Sequence, residues 1–303
     1  MQTRKAIKRA ISSNSTPIVP KAAPKVAKAK KIKKELKIEI VKPQAPPETS
    51  STLVKPKLQV VKTEHLPSQE APDNWETLYR NIQEMRSKAD APVDTMGCTE
   101  LYSGQATPVE KRFQILISLL MSSQTKDEIN AGAMKRLNEH FKSFNAEKAA
   151  NADTALLSSL ITPVGFHKTK SKNIVKVGEI CRDQYSSDIP DTIEDLVKLP
   201  GIGPKMGYLA LSCAWGKNEG IGVDVHVHRI CQRLRFTKKP KNPEATRNQL
   251  ESWLPKEKWQ EINKLLVGFG QQICSAKSPN CTNCLNDPIC PKDFSGEKIS
   301  PKK

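Results

Sequence analysis

A chain of 303 residues with 37% hydrophobic residues is long enough to bury a sizeable core, and a formal net charge of +17 favours a polyanionic partner, most often nucleic acid. No apolar run is long enough to span a membrane, and residues 1–20 lack the apolar segment of a secretory signal, which argues against a membrane or secreted protein. Without such a signal, eight cysteines favour a reducing compartment over a disulfide scaffold.

Residues 1–72 have a basic composition typical of disorder. They hold 16 lysines and arginines against five acidic residues, a net charge of +11. Residues 1–11 resemble a mitochondrial transit peptide and residues 28–37 resemble a nuclear localisation cluster, although any basic tail mimics both signals. We therefore expect a disordered tail that directs the protein to the nucleus and the mitochondrion and adds salt-sensitive affinity for nucleic acid.

From residue 73 onwards the hydrophobic periodicity is helical, with little of the alternation typical of β-strands. Asp73 is a candidate N-cap for a first helix with Trp75, Leu78 and Ile82 on one face. Three capping boxes are predicted, at Thr107 with Glu110, at Thr125 with Glu128, and at Asp191 with Glu194. Further helices are predicted over residues 109–122, 128–141, 146–152, 154–161, 168–185, 191–199, 204–214, 225–236, 243–252 and 256–272. The sequence thus predicts an all-α protein.

Residues 199–207, Leu-Pro-Gly-Ile-Gly-Pro-Lys-Met-Gly, predict a tight hairpin between two helices. Gly201 and Gly203 allow a turn too tight for a Cβ atom, and Pro204 suits the first turn of the second helix. Unpaired N–H groups of such a turn, facing outward at a helix N-terminus, form an anion site that suits a DNA phosphate. Lys205 stands where the helix dipole disfavours a cation, which favours the neutral amine that a nucleophile needs. A simply solvated lysine is the alternative.

Asp224 lies nineteen residues after Lys205, close enough along the chain for both side chains to share a cleft. It is a candidate stabiliser of a positively charged transition state and a candidate N-cap of the next helix, and both roles can hold at once. His226 and His228 follow at a spacing that points them to different helix faces, which favours polar surface or phosphate contact over a metal site.

Four cysteines near the C-terminus form the most specific pattern in the chain, Cys-x6-Cys-x2-Cys-x5-Cys, at Cys274, Cys281, Cys284 and Cys290. The compact spacing is closer to iron–sulfur usage than to zinc ribbons, which usually carry two separated Cys-x2-Cys pairs. A four-cysteine zinc site is the alternative. The remaining cysteines, Cys98, Cys181, Cys213 and Cys231, are predicted to be ordinary core thiols.

Taken together, the hairpin with its lysine, the Val-Asp-x-His segment and the cysteine spacing resemble the endonuclease III family of DNA glycosylases, over about residues 75–292. The segments SLLMSSQTKD at 118–127 and AGAM at 131–134 extend the resemblance to its eukaryotic members. The resemblance implies two all-α domains. A six-helix domain with the helix-hairpin-helix, at 107–218, is inserted into an iron–sulfur cluster domain made of 73–106 and 219–292, and 293–303 is a disordered tail.

By the same resemblance, Lys205 is the nucleophile, Asp224 the essential carboxylate, and Gln124 the residue that fills the gap left in the duplex. The resemblance also makes the four cysteines the ligands of a [4Fe–4S] cluster, and Lys277 in their loop is a candidate phosphate contact. Val225 departs from the family, which usually has threonine there, and this bears on how Asp224 is held.

The implied activity is that of a monomeric DNA glycosylase and abasic-site lyase without a membrane partner, acting on oxidised pyrimidines or abasic sites in double-stranded DNA. The base is flipped out, Lys205 attacks C1′, and the Schiff base allows β-elimination to cut the strand 3′ to the lesion. Two alternatives remain. A monofunctional adenine glycosylase of the same superfamily usually lacks the hairpin lysine, and a hairpin protein that only binds DNA has no use for both Lys205 and Asp224.

Overall fold

The computed structural model describes residues 70–295 and Glu297. These residues are helical and contain no β-strand, which confirms the predicted all-α class. Within this part of the chain, no helix is both long enough and apolar enough to cross a membrane. The predicted targeting signals, residues 1–69 of the N-terminal tail and seven of the eleven residues of the C-terminal tail lie outside the described residues.

The described residues form twelve α-helices and two short 3₁₀ segments. The helices are α1 Trp75–Met85, α2 Pro92–Met96, α3 Pro108–Ser122, α4 Asp127–Phe141, α5 Ala146–Ala150, α6 Thr154–Ile161, α7 His167–Gln184, α8 Ile193–Leu196, α9 Pro204–Trp215, α10 Val225–Arg233, α11 Pro243–Glu251 and α12 Trp259–Gln272, and the 3₁₀ segments are Lys256–Lys258 and Cys281–Asn283. Sequence analysis missed α2, because five residues are too few to show a helical period.

One of the three predicted capping boxes is confirmed. The Thr107 N–H donates to the Glu110 carboxylate (2.9 Å), and the Glu110 N–H donates to the Thr107 hydroxyl (3.3 Å). The box at Thr125 is wrong. Its hydroxyl donates to the Ser123 carbonyl and accepts the Gly165 N–H, so that α4 begins without a side-chain cap.

The third predicted box, at Asp191, is displaced by one residue, and the predicted Asp73 cap is wrong. Thr192 caps α8 by accepting the Asp195 N–H (3.4 Å), while the predicted cap, Asp191, pairs with Lys217. The residue before α1 is Asn74 rather than Asp73, and it takes a left-handed conformation (φ 59°) without a side-chain cap. At α8, Asp191 and Thr192 are both suitable caps, and the pairing of Asp191 with Lys217 leaves the cap to Thr192.

The described residues contain two hydrophobic cores. The first surrounds α3, of which residues 113–121 are all buried, and takes its other members from residues 133–211. The second is built from α1 and from residues 221–269, so the chain leaves it before α3 and returns after α9. This order agrees with an inserted helical domain, whose boundaries at 107 and 218 stay a prediction.

Polar contacts join the two cores at the N-terminus of α4. The Gln271 side chain on α12 donates to the Asp127 carboxylate (2.8 Å) and accepts the Val93 N–H of α2 (3.0 Å). Lys264 of α12 also pairs with Glu100 (2.8 Å), in the segment that leads to α3. These bonds fix the start of α4 against the second core, beside the candidate site described next.

Candidate active site

The hairpin before α9 needs only one of its glycines for its conformation. Gly201 has φ +87°, and a Cβ there would lie 2.6 Å from the Asn173 amide nitrogen. Gly203 has φ −108° and a Cβ there would meet nothing within 4 Å, so the prediction that both glycines are sterically required is wrong. The absent side chain instead leaves the surface in front of Gly203 open to a ligand.

The hairpin also presents fewer N–H groups than predicted. The Ile202 N–H donates to the Leu199 carbonyl (3.1 Å) and is therefore used within the turn. The N–H groups of Gly201 and Gly203 have no partner among residues 70–295. Because Gly203 is the N-cap of α9 and Pro204 follows it, the open end of this helix combines free N–H groups with the positive end of a dipole. This end of α9 can bind an anion.

Lys205 lies in the first turn of α9 and is half-buried, with no ion pair or side-chain hydrogen bond to any described residue. Gly222 brings the second core to it. A Cβ on Gly222 would lie 3.2 Å from the Lys205 carbonyl oxygen and 2.6 Å from Leu209, so only glycine passes here without displacement. Asn263 fixes the same segment by donating to the Gly222 carbonyl (2.6 Å). Two residues later the chain reaches Asp224.

Asp224 is the N-cap of α10, as predicted. Its Oδ1 accepts the N–H groups of His226 and Val227, each at 2.9 Å. Its Oδ2 has no hydrogen-bond partner among the described residues. One oxygen therefore holds the carboxylate in place, and no described residue competes with a ligand for the other. The exposed Val225 side chain takes no part in this cap, and the departure from threonine therefore leaves it intact.

Five ionisable side chains lie close enough for their charges to affect one another's pKa values. They are Cys98, Asp127, Lys205, Asp224 and His226. Burial raises the pKa of the Cys98 thiol, and the charges of Lys205 and Asp224 shift it in opposite directions. Burial also raises the pKa of Asp127, which the charge of Lys205 opposes. Burial lowers the pKa of His226, and Asp224 and Lys205 act on that ring with opposite signs. Lys205 and Asp224 thus both lie within electrostatic reach of Cys98 and His226.

The two histidines differ in their surroundings. The ring nitrogens of His228 are both engaged inside the protein, Nδ1 with the Thr246 hydroxyl (2.6 Å) and Nε2 with the Gln232 amide (2.8 Å). These bonds argue against the predicted phosphate contact at His228. His226 is half-buried near the candidate site, with Nδ1 at 3.4 Å from the Arg229 guanidinium, and its DNA contact stays a prediction.

Gln124 is exposed in the connection between α3 and α4, in the left-handed region (φ 52°). The loop before α7 packs on it, since a Cβ on Gly165 would lie 2.5 Å from the Gln124 carbonyl oxygen. The next residue, Phe166, is 64% exposed and also left-handed (φ 57°). Sequence analysis did not single out Phe166, although an aromatic side chain without apolar neighbours at helical spacing was a signal that it is exposed.

The four cysteines of residues 274–290 line one cavity, together with the apolar side chains of Leu234, Phe269 and Ile273. Burial raises the pKa of Cys281 and Cys290 and raises that of Cys284 to about 11, and the neighbouring thiols add to each shift. Within the described residues, no three His, Cys, Asp or Glu side chains converge tightly enough to hold a single metal ion. Four soft sulfur donors around one apolar cavity fit an iron–sulfur cluster by donor type. Lys277 is exposed on this loop.

Arg233 attaches the cysteine loop to α10 although its side chain is only 1% exposed. Its guanidinium donates to the Cys274 sulfur (3.3 Å) and to the carbonyls of Ser275 (2.7 Å) and Ala276 (2.9 Å). Glu297 pairs with the same group (2.6 Å) and balances its charge. Arg233 thereby holds both the first cysteine and the backbone that follows it.

Replacement of Arg233 by alanine is expected to lower the free energy of unfolding by about 3 kcal/mol or more, because it removes one partner of a buried ion pair and leaves carbonyl groups unsatisfied. Arg235→Ala is the matched control, since the Arg235 side chain is 67% exposed and pairs with Asp293 at 3.4 Å, a contact worth at most about 1 kcal/mol. Urea unfolding of both variants measures the difference. Equal losses would show that Arg233 does not fix the loop.

Comparison with known proteins gives a consistent result. Residues 117–256 match the family model described as HhH-GPD superfamily base excision DNA repair protein. The chain is 50% identical to the mouse endonuclease III-like protein 1 over 221 residues, which cover 73% of each protein. It is 48% identical to the chicken protein of the same name, covering 73% of this chain and 78% of the relative.

Solved structures agree with the sequence relatives. A trapped covalent intermediate of endonuclease III with DNA, an estranged-adenine complex, superposes with a TM-score of 0.61 at 26% identity. The match covers 71% of this chain and 93% of that one. A non-covalent endonuclease III–DNA complex gives the same TM-score and identity.

Proposed function

The chain belongs to the endonuclease III family, the DNA glycosylases and abasic-site lyases of base excision repair, and from that premise we propose that it removes oxidised pyrimidines from double-stranded DNA with Lys205 as its nucleophile. The observation that carries the proposal is that Lys205 and Asp224 Oδ2 both lack a hydrogen-bond or ionic partner among the described residues. Gly222 brings their two segments into contact at the open end of α9.

The proposed reaction begins with the neutral Lys205 amine. The base leaves with the electron pair of its glycosidic bond as Nζ bonds to C1′, and Asp224 stabilises the positive charge that develops on the sugar. The bonded nitrogen passes a proton to the departed base. Its lone pair then forms the C1′=N bond of the Schiff base as the C1′–O4′ bond breaks and O4′ takes a proton from solvent. Because this Schiff base acidifies the 2′ proton, its removal expels the 3′ phosphate and cuts the strand. The covalent intermediate of the related endonuclease III supports such a step.

The surroundings of Lys205 suit a duplex from which one base has been flipped out. The free N–H groups of Gly201 and Gly203 are proposed to bind a backbone phosphate on one lip of the cleft. Gln124 and Phe166 are proposed to enter the duplex on the other lip, where Gln124 fills the vacated space and the exposed ring stacks on a base. Lys277 offers a further phosphate contact.

The four cysteines are proposed to hold a [4Fe–4S] cluster. When bound, such a cluster cross-links residues 274–290 and so fixes the loop that carries Lys277. Arg233 supports the same loop through the Cys274 sulfur and the two carbonyls that follow. Measurement of the iron and zinc contents of the purified protein distinguishes the two sites, since the cluster predicts iron and the alternative predicts zinc.

Incubation with a duplex that contains one thymine glycol tests the proposed activity. The wild-type protein, which we propose to be a monomer, is expected to release the base and to leave a strand cut 3′ to the lesion with an unsaturated sugar at that end. A monofunctional glycosylase would leave abasic sites that break only in alkali. A protein that only binds DNA would release no base, and either result would contradict the proposal.

A further inference from the structure

Lys170 on α7 is a buried cation without an acidic partner among the described residues. It is 6% exposed, and its Nζ donates to the carbonyls of Met121 (2.7 Å) and Ser123 (2.6 Å). The Thr125 hydroxyl lies 3.4 Å away. A lysine is seldom buried without a carboxylate, because removal of its charge from water is costly.

The contacts of Lys170 surround Gln124. Carbonyl groups in the last turn of a helix lack intrahelical partners, and an ammonium group there also interacts favourably with the helix dipole. At the end of α3, the Lys170 ammonium group supplies a hydrogen-bond partner for the carbonyls just before Gln124 and a positive charge at the negative end of the helix dipole. Gln124 itself has a left-handed backbone that costs about 1 kcal/mol or more for a residue other than glycine. Contacts elsewhere must therefore hold the main chain on both sides of Gln124 in place.

The same lysine connects the Gln124 loop to Phe166. Lys170 follows Phe166 by one helical turn, and its backbone N–H donates to the Phe166 carbonyl (2.9 Å). From the same segment, the Gly165 N–H donates to the Thr125 hydroxyl (3.2 Å). The loops that carry the two exposed side chains are thus fixed to each other through buried polar bonds.

We propose that Lys170 is a positioning residue for lesion recognition, which fixes Gln124 in the orientation needed to fill the space left by a flipped base. The inference rests on the proposed function, because it uses the proposed role of Gln124. Lys170 does not touch DNA, since its ammonium group lies beneath the loop. Burial lowers its pKa to about 8, which shows that the charge is held here at a cost in solvation.

A merely structural role would give a different pattern of variants. If Lys170 only terminated α3, Lys170→Met would lower stability without changing what Gln124 contributes to binding. If Lys170 acts through Gln124, the two side chains belong to one unit and their effects on binding are not additive. The test is therefore a double-mutant cycle of Lys170→Met and Gln124→Ala.

The readout is the Kd for a duplex with a central tetrahydrofuran residue, a stable abasic analogue that leaves a gap and needs no catalysis. Each single variant is expected to weaken this binding about 10-fold. The double variant is expected to bind no more weakly than the weaker of the two single variants. Affinity for an undamaged duplex is expected to stay within about 2-fold, because it has no gap to fill. Lys172→Met is the matched control, an exposed lysine on the same helix.

Additive losses, about 100-fold in the double variant, would overturn the inference, as would equal weakening on damaged and undamaged duplexes. If Lys170→Met fails to fold, Lys170→Gln keeps a hydrogen-bond donor without the charge and takes its place in the cycle. The binding cycle is independent of the proposed chemistry. A wild-type protein that released no base would disprove the activity while the cycle still decided the role of Lys170.

Discussion

Replacement of Lys205 by alanine is expected to abolish covalent trapping of the protein on damaged DNA by borohydride. Borohydride reduces a Schiff base to a stable amine, so a trapped adduct reports a bond between a protein amine and C1′. Strand cleavage on the same substrate should fall by at least about 1,000-fold, because no water-based route forms the intermediate needed for β-elimination. Denaturing electrophoresis of the adduct, on DNA with one thymine glycol, measures the result.

The fold should tolerate this change. Lys205 has no ion pair or side-chain hydrogen bond to a described residue, and α9 begins with Gly203 as N-cap and Pro204 at the first position whatever follows. Alanine is also the best helix former, so the free energy of unfolding should change by less than about 0.5 kcal/mol. Loss of trapping in a variant that keeps its stability would therefore identify Lys205 as the reacting amine and would exclude unfolding as the cause.

Lys198→Ala is the matched control for the Lys205 variant. Lys198 lies on the other side of the hairpin, is 72% exposed and pairs with Asp195 at 2.6 Å. Its removal takes away one positive charge near the proposed phosphate site and is expected to reduce affinity slightly while trapping persists. A full-strength adduct with Lys205→Ala would assign the nucleophile to another amine, and loss of trapping in both variants would indicate a failure of DNA binding instead.

The parts of this protein that sequence could predict are those set by local physical chemistry. The helical periods of α3 and α7 and the Thr107 capping box depend on residues within a few positions of each other. The role of Asp224 as an N-cap is equally local, since the two N–H groups that donate to it lie two and three residues further along the chain. The cysteine spacing likewise placed four thiols around one cavity.

The features that sequence could not predict depend on contacts between distant segments. Whether Thr125 or Lys126 precedes α4 was decided by Gly165, forty residues later. The sequence does not show that a Cβ atom would clash at Gly201 and not at Gly203, because the clash at Gly201 is with Asn173, a distant residue. Lys170 is one lysine among several along α7, and only its burial beneath the end of α3 separates it from the rest.

Replacement of Asp224 by asparagine is expected to separate its two roles. Asparagine keeps a side-chain oxygen for the N–H groups of His226 and Val227 and is as good an N-cap as aspartate. The free energy of unfolding should therefore fall by no more than about 1 kcal/mol, the size of the lost interaction between a carboxylate and a helix N-terminus. Base release should nevertheless fall by about 100- to 1,000-fold, because a neutral amide cannot stabilise the positive charge on the sugar.

A series of three variants makes the distinction between capping and catalysis quantitative. Asp224→Ser also provides a good cap, whereas Asp224→Ala provides none and should cost about 1 kcal/mol more in unfolding free energy. Single-turnover base release should be equally low in all three, while urea unfolding should separate alanine from the other two. If activity followed stability through the series, with asparagine and serine near wild type, the carboxylate would act only as a cap. The charge at the free Oδ2 would then have no part in the chemistry.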